Sequence, residues 1–475
     1  MKNVVARGTL YLMFAQFMVM FLGYVLQVWL GRTLGPSIYG SLGVVLSLIM
    51  VTKTFFLTGI AKAMSKFVAE EKEKVGSILR AGLYLQLGSI ALCLFLYYFL
   101  SAFLANVFHD PGLVGVIRFS SLTVLFVGLS TVYSEGYLNG LRMFKQQAYV
   151  ELIHSFMRVV LAFVLVYAGF QLYGAVAGYV IAPIFALFFG WKWSIIEKGN
   201  TFEWKKLFWF ALPITLYYAF ILFIMELGLY TVKAYFLDGV YAGYYTAAST
   251  LAKINFSLFS VLPLTILPSI SSALSQKNII LVQKYISLSL RYALLLLIPF
   301  SFLLSLYAQP IILLFYSSSY LEAVSPLQIL TFAYMFFTLF FLFTSVISIT
   351  HRPVVSVYFA AGGLVMGVVL SYIFIVLYGF VGVAFASLVT SFIGFIATSF
   401  FLYTQLNMSF PFVSFFKMVF SGLIVYILGL FLPVKGYYFI FFGGLLLLFY
   451  YLLLYLTKEI TVDDIGYVKS VLFKK

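Results

Sequence analysis

An all-α polytopic membrane fold of about 14 spans is the architecture this sequence predicts, and three observations carry that reading. Apolar side chains make up 64% of the chain and charged ones 9%, with a mean hydropathy of +1.10, which leaves too little polar surface to clothe a water-soluble globule. The apolar residues are gathered into runs of about 20, the length of a helix that crosses a bilayer, whereas barrel strands would be half as long and alternate in polarity. The cations fall almost entirely in one alternate set of the connections between runs.

The runs follow one another with turn formers or charges between them. The first, over 9–31, comes after Lys2 and Arg7 as a secretory leader would, but it is too long and ends at Gly31-Arg32 without a small-residue cleavage pattern, so it reads as a retained span. "LGRTLGPSIYG" breaks it from the second, over 39–61. Further runs cover 79–103, 116–136, 148–169 and 173–193, and after the polar connection 194–207 come 208–230, 243–268, 285–307, 326–349, 354–377 and 379–403. Two more, 415–432 and 438–456, precede a tail in which Thr461 and Asp464 suggest a short interfacial helix. Placing the N-terminus in the cytoplasm puts 22 of the 29 Lys and Arg residues inside and only Arg32, Arg118, Lys233 and Lys435 outside, with Lys53, Arg158 and Lys253 within spans. An even span count then returns the C-terminus to the cytoplasm, and the expected location is the cell membrane. The net charge of +15 becomes a topological signal facing anionic lipid, and no nucleic-acid partner is needed to explain it. A lone Cys93 inside an apolar run excludes a disulfide framework.

Two landmarks repeat. Leu34 and Gly40 fall on Leu237 and Gly243 at a shift of 203, and Leu172-Tyr173-Gly174 falls on Leu377-Tyr378-Gly379 at a shift of 205. Six spans separate equivalents, which predicts two six-helix bundles related by a parallel repeat, plus two C-terminal helices. The expected division is an N-terminal bundle over 1–193, a linker over 194–207, a second bundle over 208–403, two added helices within 404–456 and a cytoplasmic tail over 457–475. Parallel repeats of this kind are a transporter arrangement.

The pattern "LGRTLGPSIYGSLG", the second span running into "GIAKAMSKFVAEE", the connection "YLNGLRMFKQQAYVELI" and the turn at Gly379 resemble the polysaccharide-transporter family of lipid-linked oligosaccharide flippases. That family shares a superfamily with multidrug and toxin extrusion transporters and the lipid II flippase. The resemblance covers essentially the whole chain. It implies alternating access by two bundles around a central cavity, and a polyprenyl- or dolichyl-(pyro)phosphate-linked glycan as substrate. Membrane lipids and glycan-assembly enzymes are the other partners it implies, for a monomer without a cofactor.

Charges at bilayer depth cost roughly 2.5–3.5 kcal/mol each on insertion scales, so the few present need a partner or water. Lys53 and Lys253 lie near the middle of the second and eighth spans, 200 residues apart, with no acid within a turn in their own spans. Arg158 shares a face of the fifth span with His154 and Glu151. Lys53, Arg158 and Lys253 are the candidate substrate-binding residues, because ammonium and guanidinium groups give charge-assisted bonds to phosphate where water is scarce. For Arg158 the sequence equally allows neutralisation by Glu151 or by Glu135 of the fourth span. Glu226, Glu151 and Glu135 are candidates for a counter-ion or for binding a coupling Na⁺ or H⁺.

No catalytic residue and no metal site is expected. Three histidines stand far apart, no carboxylate pair sits at ligand spacing in a span, and no Gly-rich phosphate loop occurs. The outer connections carry only scattered polar residues, among them Asp110 and Lys233, which argues against a membrane glycan polymerase or ligase. A cation-coupled multidrug exporter of the same fold stays open, although three mid-membrane cations favour an anionic substrate.

Overall fold

The computed structural model describes residues 2–194, 202–259, 261–350, 353–406, 411–432 and 437–460, and every regular element among them is helical. The α-helices are α1 (Lys2–Lys53), α2 (Gly59–Glu70), α3 (Val75–Val107), α4 (Leu113–Thr131), α5 (Phe144–Leu165), α6 (Gln171–Lys192), α7 (Trp204–Tyr235) and α8 (Gly239–Ala252). They continue with α9 (Ile254–Phe259), α10 (Val261–Ser275), α11 (Ile279–Leu306), α12 (Ala308–Phe315), α13 (Val324–Thr350), α14 (Pro353–Leu406), α15 (Phe412–Leu430) and α16 (Tyr438–Leu456). Three π-helical stretches, Thr54–Thr58, Val132–Leu138 and Val166–Phe170, interrupt the first part of the chain. The expected helix from Thr461 onward and Lys435 lie outside the described residues, as do residues 195–201 of the connection after the sixth run.

Among the described residues, ten helical stretches are long and apolar enough to cross a membrane, against the fourteen runs of the sequence. Three of the ten hold two runs each. Leu10–Glu70 is 61 residues of nearly continuous helix, which at 1.5 Å per residue is about 90 Å, three times the hydrocarbon thickness. It folds back at Gly35, whose φ of 73° is open to glycine and costly for other residues, and Pro36 starts the return helix where its missing N–H is not needed. Phe144–Lys192 and Pro353–Leu406 bend in the same way at Gly169 and Gly379. The run over 243–268 is absent from the ten because it is broken into α8, α9 and α10.

The second repeat landmark shifts slightly. Gly379 is the bend itself, whereas Gly174 lies beyond its bend at Gly169, where a Cβ would lie 2.8 Å from the carbonyl carbon of Leu165. Gly382, just beyond the bend at Gly379, is as tightly placed, since a Cβ there would lie 2.8 Å from the carbonyl carbon of Phe374. Gly174 and Gly382 are thus alike in that each is fixed by backbone approaching within contact.

The chain divides into two compact units, residues 1–247 with 360–383, and residues 248–359 with 384–475. In the first, a core of Ile60, Met64, Phe67, Ile78, Leu79, Tyr137 and Leu138 joins α2, α3 and the second π-helix, with Leu207 and Ala211 of α7 against it. In the second, Asn255 of α9 donates to Ser301 Oγ of α11 (3.0 Å) and to the Thr331 carbonyl of α13 (2.9 Å). The two added helices attach to this unit: Gly422 and Gly429 of α15 receive Phe302 and Leu306 of α11. Beyond the end of α16, the buried Glu459 accepts from Arg291 Nε of α11 at 3.0 Å.

Candidate functional site

Both candidate lysines sit where the helix is irregular. Lys53 is the last residue of α1, immediately before the π-helix Thr54–Thr58, and Lys253 occupies the turn between α8 and α9. A π-turn inserts an extra residue, which re-aims every side chain after it relative to a plain α-helix, and such turns are frequent at functional sites. At Lys253 the backbone path survives the irregularity: its N–H donates to Ser249 O (2.9 Å) and its carbonyl accepts from Ser257 N–H (2.9 Å).

In the first unit the candidate charges gather around α5. Lys53 Nζ stands 3.9 Å from Glu135 Oε1, and Glu135 itself lies in the π-helix Val132–Leu138; both side chains are more than a third exposed. A long, half-exposed pair of this kind is worth about 1 kcal/mol or less. Glu151 is held by a directed chain of hydrogen bonds. Ser65 Oγ donates to Asn139 Oδ1 (2.8 Å), Asn139 Nδ2 to Gln147 Oε1 (2.8 Å), and Gln147 Nε2 to Glu151 Oε1 (3.0 Å). The chain ties α2, the end of the second π-helix and α5 to one carboxylate.

Arg158 is placed differently. It pairs with no carboxylate among the described residues, although the sequence offers Glu151 and Glu135 as partners. Its Nη2 donates to Ser155 Oγ at 3.3 Å, its guanidinium stands 5.2 Å from the Tyr179 ring centroid, and its Nε is buried without an acceptor. Gln27 of α1 closes the surround, donating to Tyr179 Oη (3.3 Å) and accepting from Tyr39 Oη (3.2 Å). Arg158 is therefore a half-buried cation with a buried, unspent donor beside Tyr179. The sequence marks Arg158 as a lone charge in an apolar run; it gives no sign that Tyr179, one of 36 tyrosines, is its neighbour.

Glu226 is buried on α7, and Lys253 belongs to the second unit. At the end of the first unit that carries the N-terminus of α7, Lys62 lies 3.6 Å from the Tyr218 ring centroid and Lys66 lies 4.0 Å from that of Phe210. Glu71 bridges Lys74 and Lys206, each at 3.0 Å, and these two ammonium groups hold its carboxyl below the usual value. The opposite end differs from what the sequence predicts. Lys233, expected in a loop, lies in the last turn of α7 with its side chain 3% exposed, and it pairs with Asp110 at 2.9 Å. The apolar run stops short of the helix, which continues a turn further because Lys233 finds a carboxylate there. Among the described residues no group of His, Cys, Asp and Glu could hold a metal ion.

A family profile described as polysaccharide biosynthesis protein matches residues 5–274, more than half of the chain. The chain belongs to that family. A relative, an uncharacterized membrane protein of Methanocaldococcus jannaschii, is 24% identical over 416 residues, 82% of this chain and 93% of its own. Among solved structures, the inward closed conformation of the lipid II flippase MurJ matches with a TM-score of 0.78 at 18% identity, over 94% of this chain and 99% of that one. An inward-facing multidrug resistance transporter of the MATE family matches with a TM-score of 0.69 at 15% identity, over 84% and 98%. A further transporter of the same superfamily, from Pyrococcus furiosus, matches with a TM-score of 0.62 at 15% identity, over 86% and 97%. This member of the polysaccharide biosynthesis family is thus a multi-pass membrane protein with the fold of the flippases and exporters of that superfamily.

Proposed function

We propose that the protein is a flippase that carries a lipid-(pyro)phosphate-linked oligosaccharide from the inner to the outer leaflet by alternating access, for polysaccharide or glycoconjugate biosynthesis. The proposed topology has fourteen crossings with both termini in the cytoplasm of the cell membrane, as the bias of Lys and Arg indicates. One observation carries the substrate class: Arg158 holds unspent guanidinium donors at mid-span, beside Tyr179 and with no carboxylate partner among the described residues. A guanidinium so placed takes a phosphate oxygen in fork geometry, and the flanking tyrosine supplies an apolar face with a polar edge for the first sugar. Lys53 and Lys253 are further phosphate contacts in this reading. Glu135 and Glu151 supply a carboxylate pair through which H⁺ or Na⁺ drives the cycle, and Glu226 is a counter-charge or second coupling site. No cofactor enters.

The test is reconstitution in liposomes with a fluorescent polyprenyl-pyrophosphate-linked glycan, scored by quenching from outside. Arg158→Ala is expected to lower the flipping rate at least tenfold and Arg158→Lys to recover part of it, while Lys53→Ala with Lys253→Ala abolishes it in protein that still inserts. Wild-type flipping by Arg158→Ala and by the double variant would sink the cationic-cavity reading. Extrusion of cationic dyes without glycolipid movement would move the protein to the exporters.

A further inference from the structure

The 203-residue echo between "LGPSIYG" and "FLDGVYAG" marks two segments that touch. A Cβ on Gly40 would collide with the Gly239 carbonyl and lie 2.6 Å from Gly243 N, and one on Gly243 would collide with the Pro36 carbonyl. The starts of the second and eighth spans, all within the first unit, therefore meet backbone to backbone. Asp238 begins α8 by accepting from Val240 N–H at 2.9 Å.

Directly beside this contact lies a buried charge. Lys233 Nζ is 2.9 Å from Asp110 Oδ2 and 3.4 Å from Ser41 Oγ, and Ser41 Oγ donates to the same Oδ2 at 3.0 Å. Three elements contribute: α1 just after its bend, the connection between α3 and α4, and the last turn of α7. None of these residues belongs to the substrate site.

We propose that the Lys233–Asp110–Ser41 cluster is a latch that holds the outer mouth of the transporter shut, with the Gly40–Gly239–Gly243 contact as its seal. It rests on the alternating-access reading above and on the orientation given there. The chemistry makes the latch asymmetric. Lys233 is desolvated only while the mouth is closed, and Asp110 supplies the one negative charge in the cluster that offsets that cost; opening returns water to both. A buried pair of this kind adds little net stability, so the closed state is held without being trapped. Removing the carboxylate leaves an unpaired ammonium in the closed state only, which favours opening. Removing the ammonium as well leaves neutral groups that close readily.

External accessibility of Ser47→Cys tests this without any substrate, so a wrong glycan assignment and a wrong latch give different results. Ser47 is buried on α1 below the seal, and the native Cys93 is buried. With a membrane-impermeant maleimide added to intact cells, Asp110→Asn is expected to speed labelling of Ser47→Cys at least tenfold. Asp110→Asn with Lys233→Met is expected to return it to within about threefold of the parent. Parent-level labelling in Asp110→Asn, or a double variant labelled as fast as the single one, would overturn the latch. A second measurement covers a variant that fails to insert. A Cβ on Gly239 lies 3.3 Å from Ser37 Oγ, so Ser37→Cys with Gly239→Cys is expected to cross-link on oxidation in membranes. Absence of that cross-link would equally refute the closed seal.

Discussion

Arg158 and Lys53 exchange roles relative to what their own spans suggest. Lys53, with no acid nearby in sequence, finds Glu135 across the bundle, while Arg158, with Glu151 two turns away on the same face, stays without a carboxylate. The difference lies in competition. Gln147 occupies Glu151 from one turn below, and the π-helix brings Glu135 toward Lys53. Lys53→Met alone leaves Glu135 unpaired at bilayer depth and is expected to lower the thermal midpoint, and Glu135→Gln alone to do the same to Lys53. The double variant should recover most of the loss, giving a coupling of about 1 kcal/mol by thermal unfolding in detergent, because both groups are partly solvated. Additive losses would show that the pair is not coupled.

At the scale of elements, the apolar runs and their punctuation are legible because span length and charge placement follow from the bilayer itself. The bends at Gly35 and Gly379 are legible too, as glycine pairs with Pro or Tyr. The π-helices are silent: "TFFLT" and "VYSEGYL" read as ordinary helix, and only packing against neighbours selects the wider turn. The place of Lys233 is silent as well, since a cation after an apolar run reads as a loop when its carboxylate lies 123 residues away. The two bends allow a clean measurement. A Cβ at Gly35 meets nothing within 4 Å and one at Gly379 only Phe236 at 3.8 Å, so alanine there tests backbone conformation without steric clash. Gly35→Ala and Gly379→Ala are each expected to cost about 1–3 kcal/mol in thermal or denaturant unfolding. A neutral result at either would mean that its bend relaxes into ordinary helical geometry.

For the whole molecule, the last two helices raise the question of attachment. Their sequences are almost free of charge, yet Glu459, just past α16, accepts from Arg291 and lies 3.9 Å from Lys417, while Lys417 donates to the Thr457 carbonyl at 2.9 Å. One buried carboxylate thus fastens α16 to α11 and α15 within the second unit. Glu459→Gln is expected to destabilise the protein by about 1–3 kcal/mol, since Arg291 and Lys417 lose the negative charge they share, and to let protease release α16 before the rest of the chain unfolds. Global unfolding with no early cleavage would show that apolar packing alone holds these helices.

The bends at Gly35, Gly169 and Gly379 have a practical consequence. Each joins two long helices through a turn of one or two residues, so on that side of the membrane these hairpins present no loop for an antibody, a bacteriophage or a protease to grip. An epitope tag inserted there would have to unwind a helix to be accommodated. A probe for these bends must therefore be as small as a thiol reagent.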